Sequence, residues 1–434
     1  MQIEFPFRIV VAENRLHPGA LRIASEATGL SAAEIELHIS RAGQRLQREL
    51  RLTESPLQVN SGGVLVEGIA GMIRVSPHLE LEVIPKFLSG ESATWREDFF
   101  LLSTLSRYGY LLPREHLGAS VGHRGDLATL VGRAFVDLFD QNRRRPLRTY
   151  RLLAWTEMAL DGDADEEDLA LPGPDGIPQQ GLRLTVENEY NARISRAAEL
   201  LLLEVADVET RRRLGRVCRA FGQQPASMDV VARRRFPSRH RSWEALHDLA
   251  GDIVNGLGIS FAKLGGISAP GFVTRTDKLW EDVVYRCLRT GLVECKVHEQ
   301  RGFPLGERAG TQVLTTPDVA AEYGEGYWAL ADAKYKGRIG EPVRQISAAD
   351  LYEALAFLDA SGSNRILLFY PQEAEDPRSM QFSTGDCREF DRVTTEADQF
   401  IGIKVEVHGV SGSGGLRRLS EGMSNCFRQY FNLR

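Results

Sequence analysis

Two acidic residues and a lysine between positions 318 and 334 have the types and spacing to form a reactive site. Asp318 follows a proline, and in the run "YWALADAKY" Asp332 stands two residues before Lys334. Residues two apart on a strand project to the same face, so Asp332 and Lys334 are expected to point into one site. Asp318 ends the preceding strand-like run and can approach Asp332 if the two strands are neighbours.

Such a site suits a divalent cation. Two carboxylates held close together repel each other unless a hard cation lies between them. Mg²⁺ binds carboxylate oxygens and keeps water molecules, one of which can become the nucleophile in phosphodiester hydrolysis. Lys334 could hold that water or stabilise charge on the phosphate oxygens. Glu281, in the preceding predicted helix, could also reach the ion.

An acidic-x-Lys tripeptide alone carries little information, and Glu294-Cys295-Lys296 is a second example in this chain. That tripeptide lacks an upstream Pro-Asp in a preceding strand. The alternative for Asp318, Asp332 and Lys334 is a surface hairpin with an ordinary ion pair. However, "WALADAK" is apolar around Asp332, and burying a charged pair without a function is costly. The pattern therefore favours a functional site.

The elements that must position these residues follow from the sequence pattern. Asp277 is a predicted N-cap for the helix "KLWEDVVYRCLR". The runs "TQVLTTPDV" and "YWALADAKY" bracket the turn "EYGEG" and predict two antiparallel strands. Ser347 resembles a capping residue for the helix "LYEALAFLDA". The apolar run "RILLFYP" is then a buried strand, and the strand-helix-strand order predicts a parallel pair.

The remaining sequence predicts an α/β (α+β multidomain) protein. Ser31 and Glu34 form a capping box, "GVLVEGIAGMIRV" and "LELEVIPKF" read as half-buried strands, and "DGDADEEDLALPGPDG" reads as an acidic loop. The predicted domains are a mixed N-terminal domain (1–160), a linker or loop (161–180), an Arg-rich helical region (181–265), a domain with a mixed sheet flanked by helices that carries the acidic residues and Lys334 (266–408), and a C-terminal helix (409–434).

Clustered cations are candidates for contacting DNA phosphates, with a solvated helix face as the alternative interpretation. The candidate DNA-contacting residues are Lys336, Arg211, Arg212, Arg213, Arg233, Arg234 and Arg235.

Composition excludes several classes of function. The formal net charge is −6, so no overall basic field indicates nucleic-acid binding. The five cysteines contain no Cys-x-x-Cys pair, which argues against a zinc site or a disulfide framework and favours the cytoplasm. No signal peptide or membrane span is expected. None of the seven lysines follows a glycine, so the chain has no Walker A loop for a nucleotide.

Pro317-Asp318 with Asp332-Ala-Lys334 and a following helix resembles the PD-(D/E)xK nuclease superfamily. More narrowly, "DAKYK" followed by "DLYEALAF", together with "GMIRVSPHLELEVIPKF" and "ENEYNARISRAAELLL", resembles McrC, the nuclease subunit of McrBC modification-dependent restriction systems. The resemblance extends in patches from about Gly71 to Tyr370. Many relatives have Gln-x-x-x-Tyr in the helix after the motif, where this chain has Glu353 and Phe357.

The resemblance implies a Mg²⁺-dependent DNA endonuclease, with Mn²⁺ as an alternative ion, that works when docked on a McrB-like AAA+ GTPase or ATPase ring. The substrate would be double-stranded, modified DNA, in an antiviral defence system. Asp318 and Asp332 would be the metal ligands, Lys334 the catalytic lysine, Glu281 the helix acid, and Glu353 an outer-shell residue. Two alternatives stay open: a non-catalytic activator that stimulates the partner NTPase, and a stand-alone DNA-repair nuclease.

Overall fold

A computed structural model of the chain describes most of its residues. The described residues are 7–60, 63–76, 78–88, 94–108, 127–205, 207–221, 238–254, 272–324, 326–336, 343–373 and 382–433. The chain forms two compact units, Met1–Leu130 with Gly271–Arg434, and Val131–Pro270. Among the residues described, no helix is long and apolar enough to cross a membrane.

Strands and helices are mixed along the whole chain. The strands are β1 (Phe7–Ala12), β2 (Leu16–Pro18), β3 (Leu57–Asn60), β4 (Gly63–Val66), β5 (Ile69–Ser76), β6 (Leu79–Ile84), β7 (Thr149–Glu157), β8 (Ile177–Thr185), β9 (Phe272–Arg275), β10 (Lys296–Glu299), β11 (Phe303–Arg308), β12 (Thr311–Thr315), β13 (Val319–Tyr323), β14 (Tyr327–Ala333), β15 (Arg365–Pro371), β16 (Cys387–Thr394) and β17 (Gln399–Val405). The α-helices are α1 (Ala20–Thr28), α2 (Ala32–Glu49), α3 (Trp95–Tyr108), α4 (Leu127–Asn142), α5 (Glu166–Ala170), α6 (Glu189–Glu204), α7 (Val208–Ala220), α8 (Glu244–Val254), α9 (Thr276–Gly291), α10 (Ala348–Ser361) and α11 (Gly415–Phe431). A 3₁₀ helix, Ser238–Trp243, precedes α8. The predicted α/β class is confirmed.

The N-terminal part of the first unit is built on a sheet of order β1-β6-β5-β9. Strand β1 is parallel to β6, whereas β5 is antiparallel to both β6 and β9. A smaller antiparallel sheet of order β2-β4-β3 accompanies it. The predicted capping box at the start of α2 is confirmed, because the Ser31 side chain and the Glu34 side chain each accept the other's backbone N–H.

Strands β5 and β6 are buried along their whole length, so the prediction of half-buried strands is wrong. Their charged residues are buried as ion pairs instead of facing solvent. Glu80 pairs with Arg8 at 2.8 Å and with Arg74 at 3.3 Å. Glu82 accepts two hydrogen bonds of 2.7 Å from the Arg96 guanidinium. These paired charges keep the polar/apolar alternation of the sequence compatible with a fully buried sheet.

The C-terminal part of the first unit contains a mixed sheet of order β10-β13-β14-β15-β17-β16. Strands β13 and β14 are antiparallel and β14 is parallel to β15, with α10 as the crossover between them. The predicted parallel pair is therefore confirmed. Ser347 is the N-cap of α10 and accepts the backbone N–H of Asp350, as expected. Apolar side chains from β13, β14, β15 and α10 form the core here, among them Leu330, Leu358 and Leu368.

Two local predictions in this region are wrong. The run at Thr311–Thr315 does not pair with β14, because it forms its own antiparallel ribbon with β11, and β13 takes the place beside β14. Asp277 is not the N-cap of α9: the cap position is Arg275, and Asp277 lies in the first helical turn. Asp277 instead accepts two hydrogen bonds from the Arg275 guanidinium. An acidic residue in the first turn still suits the helix dipole.

The second unit contains α5 to α8 and an antiparallel hairpin of β7 and β8. The segment predicted as a linker, 161–180, holds α5 and the beginning of β8, so the hairpin crosses the predicted boundaries at 160 and 180. One face of this hairpin carries the exposed side chains of Tyr150, Leu152, Leu182 and Leu184. Because apolar side chains lie on this exposed face, the sequence of the hairpin lacks the alternation of apolar and polar residues that usually indicates a strand.

Helices α9 and α11 cross closely, which gives a test of the packing within the first unit. A Cβ atom on Gly291 would lie 1.9 Å from Ser424 Oγ and 2.6 Å from Ser424 Cβ. We expect Gly291→Ala to destabilise the protein by about 1–3 kcal/mol, because overpacking forces the two helices apart. Urea unfolding measures this change.

Gly215→Ala is the control, since its Cβ would meet Arg219 Nη1 at an ordinary 3.6 Å within α7. That variant should gain roughly 0.5–1 kcal/mol because alanine has the better helix propensity. A Gly291→Ala protein at least as stable as the wild type would contradict the close packing of α9 on α11.

Candidate active site

Asp318 and Asp332 lie at adjacent strand positions and hold each other in place. Asp318 directly precedes β13, and Asp332 is near the end of β14, whose Ala331 pairs with Val319. The backbone N–H of Asp318 donates to Asp332 Oδ1 at 3.2 Å, and Asp318 Oδ2 accepts the backbone N–H of Ala333 at 2.9 Å. These reciprocal bonds fix both carboxylates at the end of the hairpin.

Lys334 is buried beside this pair. Its Nζ lies 2.5 Å from Asp332 Oδ2 and 2.7 Å from Glu353 Oε2. The side chain is about one-tenth exposed, whereas that of Glu353 is 55% exposed. Burial disfavours the ammonium form, but the two acidic partners outweigh burial and raise the pKa of Lys334 above its ordinary value. Lys334 is therefore charged at neutral pH and is held between β14 and α10.

The two carboxylates are strained electrostatically. Burial, with the neighbouring Asp332 charge in addition, raises the pKa of Asp318 to about 8. Burial also raises the pKa of Asp332, although the Lys334 ammonium opposes the shift. Asp332 Oδ2 is buried and its contact with Lys334 is an ion pair rather than an aligned hydrogen bond. One ammonium group therefore does not compensate both acids, and more positive charge would stabilise them.

Helix α9 brings Glu281 to the same place. The Phe369 carbonyl accepts hydrogen bonds from Trp280 Nε1 at 2.9 Å and from the Lys334 backbone N–H at 2.8 Å, so α9 and Lys334 meet at one point of β15. Burial raises the pKa of Glu281, and the charges of Asp277 and Asp332 contribute in the same direction. The structure therefore brings together all four predicted catalytic residues: Asp318, Asp332, Lys334 and Glu281.

The sequence interpretation missed one cation, Lys278. Its Nζ forms an ion pair with Glu281, and the charge of Asp318 also acts on it. Lys278 stands three residues before Glu281, so both lie on one face of α9. That spacing was visible in the sequence. The pair is partly exposed, so its contribution to folding stability is small and its importance lies in the local charge balance.

Glu353 and Phe357 replace the Gln and Tyr of many relatives. Glu353 contacts the candidate catalytic lysine, and Phe357 is buried in the core against β14 and β15. A glutamate at this position adds a negative charge next to Lys334. It therefore keeps the ammonium oriented at the site, which is a different interaction from that of a neutral glutamine.

A metal ion at this site would have to be held by carboxylate oxygens. In the described ranges no group of three or more His, Cys, Asp or Glu side chains has the arrangement of a complete metal site. The chemistry of the donors nevertheless fits a hard divalent cation: two carboxylates with raised pKa values, which share a single close ammonium group, and a third acid close by. Asp318 and Asp332 could hold such an ion, with Glu281 beside it.

Three of the candidate DNA-contacting residues that the structure describes form ion pairs within their own units. Lys336 Nζ lies 2.5 Å from Asp350 Oδ1. The Arg213 guanidinium contacts Asp140 Oδ2 at 2.7 Å and also contacts the Asp137 carboxylate. Arg212 pairs with Glu209 at 3.5 Å. The two pairs made by Lys336 and Arg213 are structural contacts within their own units, which argues against a primary role in binding phosphate. Arg211 is partly exposed, and Arg233, Arg234 and Arg235 lie outside the described residues.

The pKa of Asp318 gives a stability test. The folded protein holds this proton more tightly than the unfolded chain, so the contribution of Asp318 to the stability of the wild type falls as the pH rises from 3.8 to about 8. In metal-free buffer we expect Asp318→Asn to match the wild type near pH 4 and to exceed it by about 1 kcal/mol near pH 8. Chemical unfolding at both pH values measures the difference.

Asp359→Asn is the control, because Asp359 is exposed on the same protein unit. A variant Asp318→Asn that loses stability at pH 8 would support the ordinary structural ion pair instead.

Comparison with known proteins agrees with the fold. The sequence profile described as "McrBC 5-methylcytosine restriction system component" matches residues 64–371. No curated protein matches the chain. A solved chain from a half-complex of a tetradecameric assembly of Thermococcus gammatolerans McrB AAA+ hexamers with bound McrC superposes with a TM-score of 0.71 at 14% identity, covering 97% of this chain and 100% of that one. A second, from the cryo-EM structure of the T. gammatolerans McrBC complex, has a TM-score of 0.51 at 16% identity and covers 68% and 90%. Because the profile spans well over half of its length, the chain belongs to the McrBC restriction-system family.

Proposed function

We propose that this chain is the Mg²⁺-dependent DNA endonuclease subunit of a McrBC-type restriction complex, with a site of the PD-(D/E)xK type. The observation that carries the proposal is the convergence of Asp318, Asp332 and Lys334 at one end of the β13–β14 hairpin. Two acids with raised pKa values beside a charged lysine suit phosphodiester hydrolysis better than they suit a structural ion pair.

Each residue has a distinct task in this proposal. Asp318 and Asp332 would hold Mg²⁺, which supplies a water of lowered pKa and neutralises charge on the phosphate when it is bound. In phosphodiester hydrolysis a water oxygen bonds to phosphorus as the bond to the leaving sugar oxygen breaks; the water gives up a proton to solvent, and the leaving oxygen takes one up from solvent. Lys334 stabilises the negative charge that grows on the phosphate oxygens. Glu353 and Asp332 keep the lysine charged and oriented.

Glu281 supports the site from α9. Its carboxylate forms an ion pair with Lys278, and its pKa is raised by burial. In the proposal Glu281 adds a third negative charge to the site. Lys278 balances that charge in the metal-free protein, so ion binding and the Lys278 contact compete for the same carboxylate.

The partner in this proposal is an AAA+ GTPase or ATPase ring. Both structural neighbours belong to McrBC assemblies, and one is described as McrC bound to McrB AAA+ hexamers. The sequence of this chain has no Gly-Lys-Ser/Thr loop, so NTP hydrolysis would come from the partner. The family description names 5-methylcytosine restriction, which supports double-stranded, modified DNA as the substrate. The ring would deliver that DNA to the site.

Cleavage in the presence of the partner ring, NTP and Mg²⁺ tests the assignment. We expect Asp332→Asn and Lys334→Met each to lower the cleavage rate by about 100-fold or more, because each removes charge that the reaction requires. Arg417→Met is the control, since Arg417 is an exposed residue of α11 paired only with Glu421 at 3.6 Å in the described structure.

The outcomes separate three functions. Cleavage by both site variants at the wild-type rate would contradict the proposed site. Full stimulation of the partner's NTP hydrolysis by Asp332→Asn, with no cutting by the wild type, would identify a non-catalytic activator instead. Cutting by the purified chain without partner or NTP would identify a stand-alone nuclease.

Metal binding should depend on pH. Because burial raises the pKa of Asp318 to about 8, protons compete with the ion, and Mg²⁺ binding should release protons and strengthen as the pH rises from 6 to 8. We expect a Mg²⁺-dependent increase in Tm that is larger at pH 8 than at pH 6. Asp332→Asn should abolish the increase, and a wild-type increase independent of pH would contradict the role of the carboxylate pair.

A further inference from the structure

A buried polar cluster lies behind the candidate active site and connects it to the N-terminal sheet. The cluster contains Glu13, Lys86, Thr276 and Tyr335. The first three are at most 1% exposed, and Tyr335 is partly buried. Glu13 directly follows β1, and Lys86 follows β6 by two residues. All four residues belong to the first compact unit.

Glu13 is the acceptor at the centre of this cluster. Its Oε1 accepts a hydrogen bond from Thr276 Oγ1 at 2.6 Å. Its Oε2 accepts from the Tyr335 hydroxyl at 2.5 Å and from the Lys86 backbone N–H at 3.2 Å. The Lys86 ammonium lies 3.8 Å from the centre of the Tyr335 ring. A buried carboxylate is costly unless its partners stay in place, so these contacts localise every group that makes them.

Two of these partners belong to the elements that carry the site. Thr276 is the first residue of α9, five residues before Glu281. Tyr335 is the neighbour of Lys334 in the chain. Successive residues of an extended chain point to opposite sides, and here Lys334 contacts Asp332 while Tyr335 contacts Glu13. One carboxylate therefore holds both the helix of the third acid and the segment of the catalytic lysine.

We propose that Glu13 is a positioning residue of the nuclease site, acting through Thr276 and Tyr335 to set the spacing between Glu281 and Lys334. This inference rests on the proposed function. It makes the N-terminal sheet part of the catalytic architecture as well as a candidate surface for the partner ring. It also gives the Tyr of the "DAKYK" motif a task, because the Tyr335 hydroxyl is the link from the lysine segment to Glu13.

The charges around Glu13 explain why a carboxylate is needed. Burial raises the pKa of Glu13 and lowers that of Lys86 to about 8, and each charge opposes the shift of the other. The Glu373 carboxylate also favours the charged form of Lys86. Glutamine at position 13 would keep the shape but lose the charge. Its amide oxygen could not replace both carboxylate oxygens as acceptors for Thr276, Tyr335 and Lys86.

Hydrogen exchange on the full chain tests the link without requiring cleavage. We expect Glu13→Gln to increase exchange in both 276–283 and 333–336, and Tyr335→Phe to increase it in 333–336. Glu82→Gln is the matched control, because Glu82 is also fully buried, lies on β6 and pairs with Arg96, which is not a member of the cluster. Unchanged exchange in Glu13→Gln, or equal changes in the control, would overturn the inference.

Cleavage in the assembled complex tests the positioning role. We expect Glu13→Gln to raise the half-saturating Mg²⁺ concentration about 3- to 10-fold, and its effect to be less than additive with Tyr335→Phe because the two share one hydrogen bond. Loss of folded protein alone would lower the amplitude of cleavage and leave that concentration unchanged. An unchanged concentration in Glu13→Gln would overturn the role.

Failure of the proposed function gives a different result. In that case the wild type itself neither cuts DNA nor shows a Mg²⁺-dependent increase in Tm. Hydrogen exchange then decides whether the hydrogen bonds of Glu13 connect α9 to the Lys334 segment. Exchange changes confined to Glu13→Gln and Tyr335→Phe support this connection.

Discussion

The repulsion between a buried and a partly buried carboxylate is the constraint on which the candidate site depends. Asp332 accepts the backbone N–H of Asp318 and Asp318 accepts the backbone N–H of Ala333, so the two carboxylates cannot separate to relieve the repulsion without breaking the hairpin end. The protein compensates part of the charge with Lys334, which raises that lysine's pKa and places it beside the acids. The remaining negative charge is what a divalent cation would neutralise. The hydrogen bonds that fix this end of the sheet therefore also hold together the negative charges that would attract a cation.

Further ion pairs around the site balance part of this charge. Glu353 approaches Lys334 from α10, and Lys278 approaches Glu281 within α9. The site therefore alternates acidic and basic groups across three elements of structure. The Phe369 carbonyl on β15 joins two of these elements, since both α9 and the Lys334 backbone donate to it. Catalytic groups on strands and packed helices are held more precisely than groups on loops.

Local sequence pattern predicted the strands and helix nearest the site well. The alternation in "YWALADAKY", the glycine turn before it and the cap at Ser347 each have a local physical cause, and the predicted β14–α10–β15 crossover is confirmed. The approach of Asp318 to Asp332 was expected from the same pattern. The roles of Asp318 and Asp332 in metal binding and catalysis stay predictions. Lys278 was predictable from its spacing to Glu281.

Long-range contacts could not be predicted in the same way. Glu13 meets Tyr335 across more than 300 residues, and nothing in either local sequence marks the partner. The β7–β8 hairpin was missed because acidic and Gly/Pro-rich residues interrupt it and because its exposed apolar face removes the alternation that burial imposes. The predicted pairing of the Thr311–Thr315 run with β14 was also wrong, since three strand-like runs follow one another and the local pattern cannot say which two are neighbours.

The pairing of β9 with β5 has a consequence for dissecting the protein. Strand β9 completes the N-terminal sheet, yet it comes after the whole second unit in the chain and runs directly into α9. A fragment ending near residue 130 would expose the β5 edge, and a fragment starting near residue 271 would carry an orphan strand with unpaired backbone groups. Neither piece is a self-sufficient module. The segment to delete is residues 131–270, because its removal leaves the first unit, which is formed by two separate parts of the chain, with all of its own strands.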